Sequence, residues 1–421
     1  MVFFLHCLIK NGSIPMKHLL ILYIGMREGL DICSMKISLH LQQVLSACGE
    51  LHLLGDLFLK QSFREGGMYD LVIVQNSFCF IRYKDLFKRL SNSLVLFVST
   101  GSHVIDYVAP FKNLYGVINM GDATLSTCGI PEEMQLRLCC PVESMGNYYF
   151  YEQQPEVCRI VYSPTGNSVG ENDFKMLTFL KQTNASLTIV SDEYACLKSA
   201  FPSFVKVMPR SSRLSAYKQA HLVVASGADA VQALALCKPC VVLGDYGLGG
   251  LVTSENYAQL QSVHFKGRKG GCFGESVSSI LLESVIRRVF AFDRMEDVLF
   301  LQKQVLTVYG KPVFKKRVLQ EIKRITDLST YMNNRRKRLL LKPRLSSLFT
   351  LEDVDGKSYL KRGLTCFGEL DGEMIDLLNQ CDGTVSVLEL SERSGYDRED
   401  LEILWSNLYE LCKEKLILFG L

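Results

Sequence analysis

Small residues at three strand-to-helix junctions give this chain places where a phosphorylated ligand could come close to the backbone. Ser226-Gly227-Ala228-Asp229 lies between an apolar run and a helical stretch at 230–236. Such a turn lets an anion approach the free N–H groups and positive dipole of a helix start. Asp245-Tyr246-Gly247-Leu248-Gly249-Gly250-Leu251-Val252-Thr253 follows another apolar run. Its glycines permit backbone excursions, and Glu255 and Asn256 beyond them offer groups suited to ribose hydroxyls. Pro164-Thr165-Gly166-Asn167-Ser168 is a third turn of this kind. The candidate phosphate contacts are Thr165, Gly166, Ser226, Gly227, Ala228, Gly247, Gly249 and Gly250, with Glu255 for the sugar hydroxyls. Two further loops, Gly25-Met26-Arg27-Glu28-Gly29 and Ser99-Thr100-Gly101-Ser102-His103, carry Glu28 and His103 as candidate general bases, since an attacking hydroxyl must lose its proton. The same residue types also serve as ordinary tight turns and connecting loops, and Lys266-Gly267-Arg268-Lys269-Gly270-Gly271 reads as a solvated basic loop.

These turns sit in a repeating rhythm of short apolar runs and longer amphipathic segments, which is the pattern of strands joined by crossover helices. Strands are expected at Leu19–Gly25, 51–54, Leu71–Gln75, Leu94–Ser99 and 116–119, with helices at 35–47 and 81–90. The rhythm restarts with strands at 160–163, 187–191, Val205–Met208, Leu222–Ala225 and Cys240–Gly244, and with helices at 173–182 and near Glu193, Ser215 and Val231. Apolar spacing is helical from 277 to 340, and Arg335-Arg336-Lys337-Arg338 closes that stretch before Pro343. Beyond it a hairpin is expected from 348–351 and 358–364, then helices at 373–381, 385–394 and 398–414 and a last apolar run at 416–419. The reading gives an extension at 1–15, domains at 16–150 and 151–300, a helical linker at 301–343 and a small C-terminal domain at 344–421.

Composition narrows the function classes. A chain of 421 residues with 48% apolar and 22% charged residues has enough material for several packed cores. Lys and Arg number 47 against 44 Asp and Glu, so no overall field draws it to nucleic acid or to a membrane surface. The 15 cysteines are odd in number and scattered through apolar segments, which predicts reduced, packed thiols. Cys237-Lys238-Pro239-Cys240 has no second pair and runs from a helix end into a strand, so it reads as packing rather than zinc or redox chemistry. No run reaches the roughly 20 apolar residues of a membrane span, and the N-terminal apolar run lacks a cleavage site. A cytoplasmic protein without membrane insertion or nucleic-acid partner is expected.

The segment 221–245 resembles the donor half of the GT-B glycosyltransferases and the related UDP-N-acetylglucosamine 2-epimerases, whose S-G-x-x-x-x-E-A-x-x-x-G-K-P pattern cradles a nucleotide-sugar diphosphate. The resemblance covers residues 17–300 and implies two Rossmann-like domains in a GT-B arrangement. It also implies a UDP-sugar or other nucleotide-sugar donor. This chain departs from the pattern at Gln232 and Ala233, where a ribose-holding carboxylate is common, and at Cys237, where glycine is usual.

The segment 370–390, with its helix, Asp382-Gly383 turn and hydrophobic helix, resembles the PqqD-like family, the RiPP recognition elements that bind precursor leader peptides. It implies an α+β winged-helix domain that takes the leader as an added strand beside its third helix. The implied contacts are Ser358, Tyr359, Leu360 and Lys361 on the hairpin edge and Ile403, Asn407 and Glu410 on the helix. A winged helix that binds DNA or mediates dimerisation is the alternative, and the acidic character of this segment disfavours DNA. Together the two resemblances imply a RiPP biosynthesis protein that captures a precursor leader peptide and transfers a sugar or nucleotide-derived group to it. The other readings are a noncatalytic peptide chaperone docking a separate modifying enzyme, and a nucleotide-sugar enzyme of glycan synthesis.

Overall fold

The computed structural model describes residues 19–26, 32–58, 62–64, 68–90, 93–99, 113–120, 129–144, 158–164, 175, 185–195, 205–290, 295–354, 357–396 and 400–421. Two compact units share them: Met1–Cys139 with Lys315–Leu421, and Cys140–Phe314.

In the first unit β1 (Leu19–Gly25), β2 (Gly49–Leu54), β3 (Leu71–Gln75), β4 (Leu94–Ser99), β5 (Leu114–Asn119) and β6 (Gln135–Arg137) form one parallel sheet in the order β2-β1-β3-β4-β5-β6. Every residue of β3 and β4 is buried, which is why their sequences are continuous in apolar residues rather than alternating. Helix α1 (Ile32–Leu45) joins β1 to β2. The expected helix at 81–90 is instead a pair, α2 (Phe78–Arg82) and α3 (Lys84–Arg89), broken where Tyr83 leaves helical geometry at ψ 28°. Strand β6 went unforeseen, because two half-buried residues and one exposed residue carry too little pattern.

The second unit holds β7 (Cys158–Tyr162), β8 (Ala185–Val190), α4 (Asp192–Ala195), β9 (Val205–Met208), α5 (Arg213–Gln219), β10 (Leu222–Ala225), α6 (Gly227–Ala235), β11 (Cys240–Gly244) and β12 (Gly247–Leu251). Their order is β12-β11-β10-β7-β8-β9, parallel except for β12. The chain winds outward from β7 through β8 and β9, then returns to place β10 on β7's other side. Strand order therefore reverses between β7 and β10, and the crevice at their carboxyl ends is where open α/β sheets receive ligands. Helices α7 (Tyr257–Ser262), α8 (Ser279–Phe290) and α9 (Met295–Tyr309) follow.

Helix α10 (Lys311–Met332) leads to β13 (Lys342–Leu345), β14 (Thr350–Val354), β15 (Lys357–Arg362) and β16 (Thr365–Glu369), then α11 (Gly372–Gln380), α12 (Val387–Arg393), α13 (Asp400–Lys413) and β17 (Ile417–Gly420). The Asp-Gly turn before α11 works as a cap, with Asp371 accepting from the Met374 N–H at 2.7 Å, and Ser386 with Glu389 forms a capping box on α12. Strands β13 and β17 pair, and β14-β15-β16 is an antiparallel meander rather than a hairpin. The C-terminal core gathers Trp405, Leu408 and Ile417 with Leu328 and Met332 of α10 and with Leu341. It also meets the first sheet: Tyr115 packs on this core, Leu418 packs on the sheet's core, and Ser347 donates to Glu133 at 2.7 Å.

Candidate functional site

The switch point of the second sheet brings Ser163, at the end of β7, beside the β10–α6 turn. Ser226 is the N-cap of α6 in extended geometry, and Gly227 opens the helix at φ +54°, a left-handed value that glycine reaches without steric cost. Among the described residues nothing lies within 4 Å of where a Cβ on Gly227 would project, so they leave the turn open on one side. Its N–H groups are less open than expected, because Gly227 donates to the Phe265 carbonyl at 2.9 Å.

Two arginines not singled out from the sequence join Asp229 of that turn to complete this corner. Asp229 in the first turn of α6 accepts from the Ser163 hydroxyl and pairs with Arg213 of α5. Arg210, just before α5, donates to the Pro164 carbonyl at 3.4 Å, and its backbone N–H donates to Asp192 at 2.8 Å. The Nε groups of Arg210 and Arg213 are buried with no hydrogen-bond partner among the described residues. An acidic side chain in the first turn favours the helix dipole, and Arg213 holds that carboxylate in place. Arg210 and Arg213 are three apart in the crossover from β9, a spacing that gave no local signal because the crossover alone carries them over β7.

The second glycine-rich segment is corrected. Gly247, Gly249 and Gly250 lie not in a loop but in β12, a strand that turns back antiparallel along β11. Gly247 and Gly250 take φ of +79° and +85°, and a Cβ on Gly249 would fall 2.8 Å from the Gly267 carbonyl oxygen. The glycines therefore serve the reversal and a close backbone approach. Because β12 runs opposite to β11, Val252 is level with Cys240, whose carbonyl it meets at 2.9 Å. Glu255 follows Val252, which is level with the amino end of β11. Asn256 is committed locally, accepting from the Thr253 N–H and donating to the Leu251 carbonyl, both at 2.8 Å. In the basic loop, Arg268 is paired with Glu275 at 2.8 Å.

Gln232 is buried in α6, and its amide spans both backbone groups of Glu143, accepting at 3.1 Å and donating at 2.9 Å. Gln232 thus binds backbone. Cys237 adopts φ +56° at the end of α6, a left-handed value that glycine reaches most readily. Next to it, burial pushes the Lys238 ammonium down to about 8, with the Arg159 charge adding to the effect. Burial likewise lowers the His221 imidazole, which accepts the Arg159 N–H at 3.0 Å.

Thr165, Gly166, Glu28 and His103 lie outside the described residues. In the first sheet, buried polar residues close the carboxyl ends of three strands: Gln75, Ser99 and Asn119. Gln75 accepts from the Tyr23 hydroxyl.

In the C-terminal segment the expected peptide edge is also corrected. Ser358, Tyr359, Leu360 and Lys361 belong to β15, the middle strand, with Leu360 registered against Leu351 on one side and Gly368 on the other. Among the described residues, β14 and β16 are the outer strands of this sheet and pair with no further strand. Ile403, Asn407 and Glu410 do share one exposed face of α13, and Ile403 is 58% exposed.

No protein-family model matches the chain, and no curated protein matches it. Among solved structures it is similar to the glycotransferase of kitacinnamycin, with 11% identity, a TM-score of 0.44, and coverage of 72% of this chain and 99% of the other. It is similar to Anabaena Alr3699/HepE, solved in complex with UDP and glucose, with 10% identity, a TM-score of 0.47 and coverage of 73% and 100%. The S. aureus MnaA–UDP co-structure gives 10% identity, a TM-score of 0.44 and coverage of 73% and 97%.

Proposed function

We propose that this chain transfers a sugar, or another group carried on a nucleotide, to a peptide held by its C-terminal segment. The observation that carries the first half is the β7/β10 switch point, with an open, left-handed Gly227 turn at the head of α6 and Arg210 and Arg213 beside it. In the proposed reaction an acceptor oxygen or nitrogen attacks the anomeric carbon, and the bond from that carbon to the diphosphate oxygen breaks. The nucleoside diphosphate leaves with the electron pair, and the acceptor proton passes to a base, for which Glu28 and His103 are the candidates. Ser226, Gly227 and Ala228, with Thr165 and Gly166, would face the diphosphate, where the helix start and the guanidinium groups favour its growing charge.

The second half rests on the 370–390 resemblance. A leader adding as a strand would join β14 or β16, the outer strands of the meander, and the exposed face of α13 would wall its side chains. Holding the peptide on the same chain raises its effective concentration at the transfer site. The test is mass spectrometry of a precursor peptide from a neighbouring gene after incubation with the full chain and a nucleotide-sugar panel. A donor-specific mass increase is expected, and peptide binding with no mass increase from any donor would contradict transfer.

One set of contacts favours a second reading, a noncatalytic peptide scaffold. The Gly227 N–H is already bonded to Phe265, and Gln232 is tied to Glu143 instead of presenting a carboxylate to a ribose. Micromolar nucleotide-sugar binding by the full chain would remove this reading.

A further inference from the structure

A cleft of about 320 Å³ lies wholly within the first unit, lined by residues of the first sheet and of the C-terminal segment. Its lining carries four cations, Arg324, Arg344, Lys413 and Lys415, against one acid, Glu133. That acid is occupied, since both of its oxygens accept from Ser347. Two of the cations are also matched: Arg324 pairs with Glu321 at 2.7 Å, and Lys413 pairs with Glu410 at 2.6 Å. Arg344 is different. It is half-buried on β13, and among the described residues its guanidinium makes no ion pair. The rest of the wall is largely apolar, including Leu114, Met134, Leu328 and Leu418.

We propose that this cleft binds a small amphipathic anion, with a carboxylate or phosphate head on Arg344 and an apolar body against Leu114, Met134, Leu328 and Leu418. A planar guanidinium presents two parallel donors to either head group, which a neutral polar ligand cannot exploit. The cleft sits at the small end of the roughly 300–1,000 Å³ range of ligand pockets, which fits a short alkyl or aryl body and excludes a nucleotide sugar's full length. None of its lining residues belongs to the β7/β10 crevice, so the proposal stands or falls apart from the transfer reading.

The test is calorimetry of the full chain with decanoate, decyl phosphate, decanol and decylamine, each below its micelle concentration. Both anions should bind about tenfold or more tightly than decanol, and decylamine should not bind. The stronger of the two anions identifies the head group. Arg344→Gln should weaken both anions about tenfold and leave decanol unchanged. Lys413→Gln, half-buried at the end of α13, provides a second variant should Arg344→Gln fold poorly, and it should weaken the anions in the same direction. Anions that bind no tighter than decanol, equal binding of decylamine, or anion affinity unchanged in a folded Arg344→Gln protein would each overturn the proposal.

Discussion

Gln232 shows how a residue can depart from a family's pattern and still be committed to a task. Its amide is both donor and acceptor, so it satisfies the N–H and the C=O of Glu143 at once. Gln232→Glu would place a carboxylate there but could no longer donate, and it would leave the part-buried Glu143 carbonyl without that bond. We expect that variant to lose about 1–3 kcal/mol in urea unfolding and to gain no nucleotide affinity. An increase in UDP affinity with undiminished stability would show that position 232 faces the ligand after all. Lys238 gives a pH signature. Its folded pKa of about 8 lies below the ordinary 10.5, so between those values the unfolded chain holds a proton that the folded chain has released. Stability contributed at this position therefore rises with pH across that window. The urea midpoint of Lys238→Met should exceed that of wild type most at about pH 7.5, and the difference should shrink toward about pH 10. A difference that does not change with pH would refute the burial effect.

At the scale of elements, the strands buried on both faces were legible because Leu71-Val72-Ile73-Val74 and Leu222-Val223-Val224-Ala225 have no other plausible use. Strand β12 was not legible, since Gly-Leu-Gly-Gly-Leu has little strand character of its own and is held by pairing with β11. The meander hid for a related reason: all five residues of β16 are exposed, so no alternation marks it. At the site, the Ser226–Gly227 turn was readable from its small residues, whereas the Arg213–Asp229 pair depends on a crossover that spacing does not encode. Two predictions belong at this scale. A fragment spanning 344–421 lacks Leu328, Met332 and Leu341, all buried in the same core as Trp405 and Leu408. Each fully buried apolar side chain contributes about 1.5–3 kcal/mol, so that fragment should melt well below one beginning at residue 315. Equal melting temperatures would mean that the C-terminal core closes without α10. Ile403→Asp lies on the exposed face of α13 and should change stability by less than about 0.5 kcal/mol. In fluorescence anisotropy the same substitution should weaken a labelled leader peptide at least tenfold, because the new carboxylate would be desolvated against an apolar anchor. Leader affinity equal to wild type would take this face out of the binding surface.

For the molecule as a whole, 47 Lys and Arg against 44 Asp and Glu leave no overall field that would draw the chain to nucleic acid. Among the described residues no helix is long and apolar enough to cross a membrane, and no cluster of His, Cys, Asp or Glu could hold a metal ion. The weight of the account falls on the β7/β10 crevice. Gly227 is the residue through which to probe it, because among the described residues a Cβ there meets nothing within 4 Å while the side chain beyond would fill the space a diphosphate needs. The left-handed φ adds strain of about 1–2 kcal/mol, which a two-unit chain of this size should tolerate. The measurement is calorimetric titration of UDP and UDP-sugars into the full chain and into Gly227→Arg, with circular dichroism confirming that the variant is folded. Micromolar binding to wild type that disappears in Gly227→Arg is expected. Absence of binding to wild type, or equal affinity in the folded variant, would contradict it.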